Sequence, residues 1–260
     1  MTNEEIDTSI PQTARIWNYL LGGTDNFEVD RAVGDQILAT QPQLAEHARL
    51  SRAFLVRAVR YLTAEAGMRQ FLDIGSGLPA VNNTHEVAQA VAPESRVVYV
   101  DNDPLVLAHA RTLLTSSAEG ATDYLAADLH DIENVLGQAA RTLDLDRPVA
   151  VFFMGVLGHV EDDAVARDLV RRAMAAVPVG SHLALYDGTD ITPEVVEVAR
   201  IWNESAALPY HLRSPERLAR FFEGLEYVEP GLVSVTQWHP EDDGDRVIDQ
   251  FCGVARKVAA

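Results

Sequence analysis

The chain contains a single cysteine, Cys252, which excludes an intramolecular disulfide and any zinc cluster built on several thiolates. In the apolar run Phe251-Cys252-Gly253-Val254 that thiol reads as a small buried hydrophobe. Basic residues are scarce: 21 stand against 39 acids, for a net charge of −18, so the surrounding field repels phosphate backbones and anionic lipid. Nucleic acid and membranes are therefore not expected partners. The densest basic group, Arg167, Arg171 and Arg172, reads as a solvated helix face beside Glu161, Asp162 and Asp163. No apolar run approaches the ~18 residues of a bilayer span. The start, Met1-Thr2-Asn3-Glu4-Glu5-Ile6-Asp7, is acidic and polar, unlike a signal or transit peptide, and a cytoplasmic location is expected. There is no internal repeat, no low-complexity tract and no His/Asp/Glu spacing that would demand a metal.

What is present is an ordinary globular composition, 47% hydrophobic and 23% charged over 260 residues, enough to bury one large core. Helical patterning covers residues 13–21, stopping at Gly22-Gly23, then 30–39, then 44–66, stopping at Gly67. From there apolar runs alternate with helical segments. Strands are expected at 70–74, 96–100, 122–127, 149–154 and 182–186, with helices starting near Asn83, Pro104, Asp131, Glu161 and Pro193. Ser214-Pro215 announces a further short helix as an N-cap and first-position pair. Residues 225–235 and 247–257 look like a closing antiparallel pair around the polar loop from Trp238 to Asp245. Such alternation implies a parallel α/β sheet with right-handed crossovers. The chain thus divides into a helical extension, residues 1–67, and an α/β unit, residues 68–260, which together form one structural unit.

The densest signal is Gln70-Phe71-Leu72-Asp73-Ile74-Gly75-Ser76-Gly77, a buried strand running into a turn whose glycines let a ligand approach the backbone. Gly75-x-Gly77-x-x-Ala80 satisfies the dinucleotide fingerprint, and Asp101 ends the next strand a little beyond the roughly 20-residue spacing usual for a ribose acid. A carboxylate at Asp73, however, would repel a pyrophosphate and attract the sulfonium and ammonium groups of S-adenosylmethionine. A third acid, Asp128, ends the third strand beside Leu129, where an adenine amino group could find an acceptor. Any one of these acids could simply cap the following helix. Three of them beside a glycine turn favour S-adenosylmethionine.

Asp73-Ile74-Gly75-Ser76-Gly77, Val100-Asp101-Asn102-Asp103-Pro104 and Ala127-Asp128 resemble the first three motifs of the Rossmann-like class I methyltransferases. The longer string from Ala14-Arg15-Ile16-Trp17-Asn18-Tyr19-Leu20-Leu21-Gly22-Gly23 through Asp25-Asn26-Phe27, Gly77-Leu78-Pro79 and Asn83-Thr84-His85-Glu86 is similar to the actinobacterial S-adenosyl methyltransferase family, long a domain of unknown function. That resemblance spans almost the whole chain. It implies an α/β fold with a seven-stranded, mostly parallel sheet, S-adenosyl-L-methionine as cofactor, and methyl transfer to an acceptor it does not name. Pro79 departs from the wider superfamily by replacing the third glycine of the first motif. It stiffens the turn and removes a backbone donor, so the cofactor carboxylate needs another partner.

In a doubly wound sheet the ligand lies beyond the carboxyl ends of the strands. Gly75 and Gly77 are accordingly assigned to close passage of the cofactor and Asp101 to its ribose, with Ser76 and Asn102 as further cofactor contacts. Asp128 and the Leu129 amide are assigned to adenine, and Asp73 to the methionine end. Asp103 before Pro104 reads as a helix start. The segment 15–27 is a candidate lid, with Asn18, Tyr19 and Gly23 as ligand contacts and Arg15 offered to a carboxylate. Trp17 and Leu20 read as packing residues. An oxygen or carbon acceptor needs a base within reach: His159 leads and Tyr19 is also a catalytic candidate, with Asp187 and His211 as alternatives. His85 is given no catalytic role. The leading expectation is a methyltransferase acting on a small-molecule methyl acceptor. A non-catalytic S-adenosylmethionine sensor and a nicotinamide-dependent oxidoreductase are the alternatives.

Overall fold

The computed structural model describes residues 7–113, 115–205, 208–241 and 246–259. The acidic start before Asp7, the last two residues of the helix expected to reach residue 207, and residues 242–245 of the polar loop lie outside the described residues.

Five strands, β1 (Gln70–Ile74), β2 (Arg96–Asp101), β3 (Ala121–Ala126), β4 (Ala150–Met154) and β5 (His182–Gly188), run parallel in the order β3-β2-β1-β4-β5. Two short strands follow, β6 (Leu225–Tyr227) and β7 (Val233–Ser234), and then β8 (Gln250–Lys257). β8 lies antiparallel to β5 and carries β6 and β7 on its other edge. The strand expected at 225–235 is therefore two strands sharing the seventh position. Pro230 has no N–H to give the ladder and Gly231 sits at φ 88°, so pairing lapses between them.

Alternation along the strands builds the two faces. Phe71, Val97, Tyr99, Ala150, Phe152, Ala184 and Tyr186 point to one side, where they meet α3 (Leu44–Ala64) and α4 (Thr84–Val91). Leu72, Ile74, Val98, Val100, Val151, Phe153, Leu183 and Leu185 point to the other, against α6 (Ile132–Ala139) and α7 (Asp163–Ala175). Apolar residues on both faces of the parallel strands explain why they read as unbroken hydrophobic runs. The remaining helix after β2, α5 (Pro104–Leu113), starts at Pro104 with the Leu105 amide donating to Asp103 Oδ1 at 2.8 Å. Asp103 is thus the cap its sequence suggests.

α3 belongs to the sheet layer. It buries His47, Ser51, Phe54, Leu55, Ala58, Val59 and Leu62 at helical spacing and ends before Gly67, at φ 69°. Phe54 and Tyr61 both stand edge-on to the buried Trp238, with centroids 5.5 and 5.6 Å away. Cys252 is a buried free thiol in the same cluster. α1 (Thr13–Leu20) and α2 (Glu28–Thr40) instead pack on α8 (Pro193–Ser205), through Ile16, Leu20, Val33, Ile37, Val198 and Trp202. This second small core hangs over the carboxyl ends of β1, β4 and β5. Arg171 and Arg172 pair with Asp168 and Glu133 on the outer helical layer, a solvated face as expected. No described helix is long and apolar enough to cross a membrane.

Candidate active site

The strand ends and the second core enclose a cavity of about 490 Å³. Its floor is the turn after β1. Gly75 and Gly77 adopt φ 75° and 66°, which L side chains rarely do. A Cβ on Gly75 would strike Val156 Cγ2 at 2.3 Å, so that glycine packs the turn against the segment after β4. A Cβ on Gly77 would meet nothing within 4 Å; it would project into open space on the cavity wall, where a ligand passing the turn would lie.

Three strand-end acids behave differently. Asp73 is fully enclosed, with Oδ2 accepting from Thr84 Oγ1 at 2.7 Å and Oδ1 buried without a partner. Burial pushes its carboxyl up to about 6 against the opposing pull of the Thr84 hydroxyl and the Arg52 charge. Asp101 accepts from the Gly77 amide at 2.8 Å and the Asp103 amide at 3.0 Å, and burial raises its pKa. It therefore holds the glycine turn as well as facing the cavity. Asp128 stands outside: its side chain is half exposed and engages the His130 amide and ring nitrogen at 2.9 and 2.8 Å. Leu129 and Ala127 line the cavity in its place. The adenine role expected of the Asp128 side chain is not supported by this placement, because its carboxylate is turned to its own loop.

Along the N-terminal wall the expectations divide. Asn18, Gly23 and Trp17 line the cavity, and Asn18 Oδ1 accepts from the Asp25 amide and from Asn26 Nδ2 at 3.0 and 2.9 Å, clamping the turn after α1. Gly23 is needed beneath it, since a Cβ there would lie 2.4 Å from Asn18 Nδ2. Tyr19, expected as ligand contact and catalytic candidate, faces the other way. Its hydroxyl donates to Asp35 at 2.6 Å and its ring lies against Gly34. The arc of α1 that lines the cavity carries Thr13, Ala14, Trp17 and Asn18, and Tyr19 lies outside it, turned toward α2. Arg15 is likewise unavailable to a cofactor: it is buried beside Asp30 and donates to the carbonyls of Asp7 and Ile10 at 3.0 and 2.6 Å. Leu20 is core, as expected; Trp17 is core and cavity wall at once.

Arg52 is a cation that no sequence motif announces. It is the one arginine among the described residues lining the cavity. Its Nη2 donates to Asn82 O and Asn83 Oδ1 at 3.2 and 3.0 Å, while its Nε is buried with no partner. Ser76 Oγ is buried and unpartnered as well. Arg52 sits mid-helix in α3, on a face that also brings Leu44, His47, Ser51 and Leu55 to the cavity, and no motif spacing marks it. Asn102 is exposed at the cavity rim.

At the opposite wall, a single 3-10 turn (Leu157–His159) follows β4 and places His159 on the cavity. Its Nδ1 lies 2.8 Å from the Pro209 carbonyl, which can only accept, so Nδ1 carries the proton and Nε2 the lone pair. Burial holds its pKa below the ordinary range, more than the Pro209 contact restores. Tyr210, edge-on to His159 at 5.1 Å, donates its hydroxyl to Asp187 and accepts from the Gly188 amide at 3.0 Å. Asp187 is wholly buried behind Tyr210, pushed up to about 6 by burial, and does not line the cavity. His211 does not line it either; its amide donates to Gly158 O at 2.7 Å. His85 binds Tyr99 Oη at 2.9 Å inside the helix–sheet interface. Among the described residues no group of three His, Cys, Asp or Glu is placed to hold a metal.

The sheet order and a cleft at the carboxyl ends of β1, β2 and β4 define a Rossmann-like methyltransferase. The S-adenosyl methyltransferase family matches residues 1–258, and the chain belongs to it. It is a methyltransferase dependent on S-adenosylmethionine, which sets aside the nicotinamide and sensor alternatives. The chain is 45% identical to a DUF574-family protein from Streptomyces avermitilis, with a TM-score of 0.93 over 97% of this chain and 100% of that one. It is 41% identical to a protein from Thermobifida fusca provisionally described as a methyltransferase, with a TM-score of 0.90 over 98% and 97%. An O-methyltransferase family protein from Burkholderia thailandensis, 17% identical with a TM-score of 0.55 over 84% of this chain and 60% of that one, shares the fold. None of the curated proteins matches the sequence.

Proposed function

We propose that the protein methylates an oxygen of a small-molecule acceptor, with the cofactor held by Asp73, Arg52 and Asp101 and with His159 as base. S-adenosylmethionine supplies an electrophilic methyl group on a sulfonium. The fit rests on buried groups that lack partners within the chain. Asp73 Oδ1 calls for a cationic donor, the cofactor ammonium, and Arg52 Nε calls for an acceptor, the cofactor carboxylate. Arg52 thereby replaces the backbone donor that Pro79 removes. Asp101 keeps a lone pair on each oxygen for ribose hydroxyls, and Leu129 offers its amide and an apolar face to adenine. The segment 13–25, tied together by Asn18, walls off the cavity and excludes water from the sulfonium as a lid.

His159 carries the reaction class. A histidine fixed as the Nδ1–H tautomer and held neutral by burial presents Nε2 as an acceptor into a cavity shared with the methyl donor. His159 Nε2 would take the acceptor's hydroxyl proton as that oxygen is methylated, the cofactor supplying the methyl group and keeping the S–C electron pair. A small-molecule acceptor, in a cytoplasmic setting and not a nucleic acid, agrees with the enclosed cavity and with the charge of −18.

The test uses S-adenosylmethionine labelled on the methyl group and a Streptomyces extract divided into low-mass filtrate and macromolecular retentate. Label should enter the filtrate, and His159→Ala should lower that transfer about 10²- to 10⁴-fold with S-adenosylhomocysteine affinity kept. Label confined to the retentate, or a variant as active as the parent, would sink this reading.

A further inference from the structure

The cavity is larger than its cofactor side. Beyond the strand ends it continues beneath α1 and α8, walled by Trp17, Val195, Val198, Trp202, Leu208 and Leu212. Trp17, Val198, Trp202 and Tyr210 belong to the second core, so this wall is built from packed residues. Its rim is pinned as well: Trp202 Nε1 donates to Leu208 O at 3.2 Å, Asn203 Oδ1 accepts from the Tyr210 amide at 2.6 Å, and His159 binds Pro209 O. This part of the cavity is thus a largely apolar slot with a hydrogen-bonded rim, and His159 shares its lining.

Charge narrows what could fill it. Apart from Arg52, assigned above to the cofactor, no arginine or lysine is found among the described residues lining the cavity. Those on the elements around the slot are committed elsewhere: Arg15 to Asp30, Arg200 to Glu197 and Glu204, Arg213 to Asp163 and the carbonyls of Leu157 and Val160. An anionic acceptor would lie in the slot without a counter-charge, which is costly in an apolar enclosure. The acid on that wall, Asp249, accepts from Thr192 Oγ1 and Gln41 Nε2 at 3.0 and 3.1 Å and adds no positive charge. His47, which also lines the cavity, is kept neutral by burial.

The base narrows it further. A phenol ionises near 10 and an aliphatic hydroxyl about as reluctantly as water, near 16. A histidine whose pKa lies below its ordinary range can share a proton usefully with the first and scarcely with the second. Indole walls add offset or edge contacts available only to a flat ring.

We infer that this slot is the acceptor subsite and that it takes a phenol carrying no anionic group, its ring among Trp17, Trp202 and Val198 and its hydroxyl at His159 Nε2. The inference rests on the cofactor and base assignments above. Neither the glycine turn nor the strand-end acids bear on it, so it can fail while they stand.

Calorimetry on the full chain saturated with S-adenosylhomocysteine tests it, using phenol, 4-phenylphenol and 2-naphthol as probes against 6-hydroxy-2-naphthoate and cyclohexylmethanol. Binding of at least one phenol should saturate at or below the order of 1 mM. The naphthoate and the alcohol should bind at least about tenfold more weakly than the best phenol. Ala199 also lines the cavity from α8, and Ala199→Trp, which fills the slot there, should cost that phenol at least about tenfold while S-adenosylhomocysteine binds as before. No saturable binding by any phenol, equal or tighter binding of the naphthoate, or indifference to Ala199→Trp would each overturn the assignment. Failure of S-adenosylhomocysteine to bind the parent protein would overturn the cofactor reading instead, and this one with it.

Discussion

Asp73 makes cofactor binding depend on pH in a way that can be calculated in advance. Burial raises its carboxyl from the ordinary 3.8 to about 6, a cost of ~3 kcal/mol to keep it ionised inside the protein. The groups facing it are Thr84 from α4, Arg52 from α3 and Asp101 from β2, of which Thr84 and Arg52 favour the charged form and Asp101 opposes it. An ammonium against Oδ1 would favour ionisation strongly, so a bound ligand carrying one releases a proton below pH 6. Affinity for S-adenosylhomocysteine should then be flat above pH 6 and fall about tenfold per unit below it. Asp73→Asn should flatten the profile and weaken binding by about 1.5 to 3 kcal/mol. 5′-Methylthioadenosine, which has no ammonium, should show no such slope. The same linkage has a stability side. A carboxyl whose folded pKa is raised stabilises the fold below its unfolded value and loses that contribution as pH rises through about 6. The unliganded Asp73→Asn variant should therefore be at least as stable as the parent at pH 8. Calorimetric titration from pH 5 to 8, with thermal melts, measures both. A slope that persists in Asp73→Asn, or that appears equally with methylthioadenosine, would refute the assignment.

Other consequences are direct. Arg52→Ala should weaken S-adenosylhomocysteine about tenfold or more, while methylthioadenosine, lacking the carboxylate, should lose little; equal losses for both ligands in calorimetry would make Arg52 a structural residue. Gly77→Val puts a branched side chain at φ 66° into open cavity and should abolish cofactor binding in a protein that still folds, so parental affinity in the folded Gly77→Val variant would mean the turn is structural only. Amide exchange across residues 13–25 should slow when S-adenosylhomocysteine is added, because the proposed lid would be held closed; identical exchange would leave this segment a fixed wall. Phe54→Ala removes an edge-on partner of Trp238 and Tyr186 and should cost about 3–5 kcal/mol in denaturant unfolding.

The fold is legible because its signals are local and repeated. Apolar strands covered on both faces, glycines closing helices and acids at strand ends all act within a few residues of one another. The break in the seventh strand is legible too, since Pro230-Gly231 is a local turn signal that outweighs the strand-like residues on either side of it. In the site, Asp73, Gly75, Gly77 and Asp101 lie within one supersecondary unit, and spacing brings them together. Arg52 reaches the same place from α3, through packing of Phe54, Leu55 and Val59 on the sheet, and sequence spacing carries no trace of that. Tyr19 and Arg15 depart from expectation for a related reason. A helix presents its ligands on one face only, and which face is set by α2 and α8, both outside α1 itself. The strand-end position of Asp128 suggests a ligand role, but its carboxylate turns to His130 two residues away, a local bond that competes with any ligand.

A crystal structure with S-adenosylhomocysteine bound bears most directly on the site as a whole. The ligand should lie along the Gly75–Gly77 turn with its ammonium on Asp73 Oδ1, its carboxylate on Arg52, its ribose hydroxyls on Asp101, and its sulfur toward the slot whose lining His159 shares. A ligand whose carboxylate turns away from Arg52, or whose sulfur faces away from His159, would contradict that arrangement.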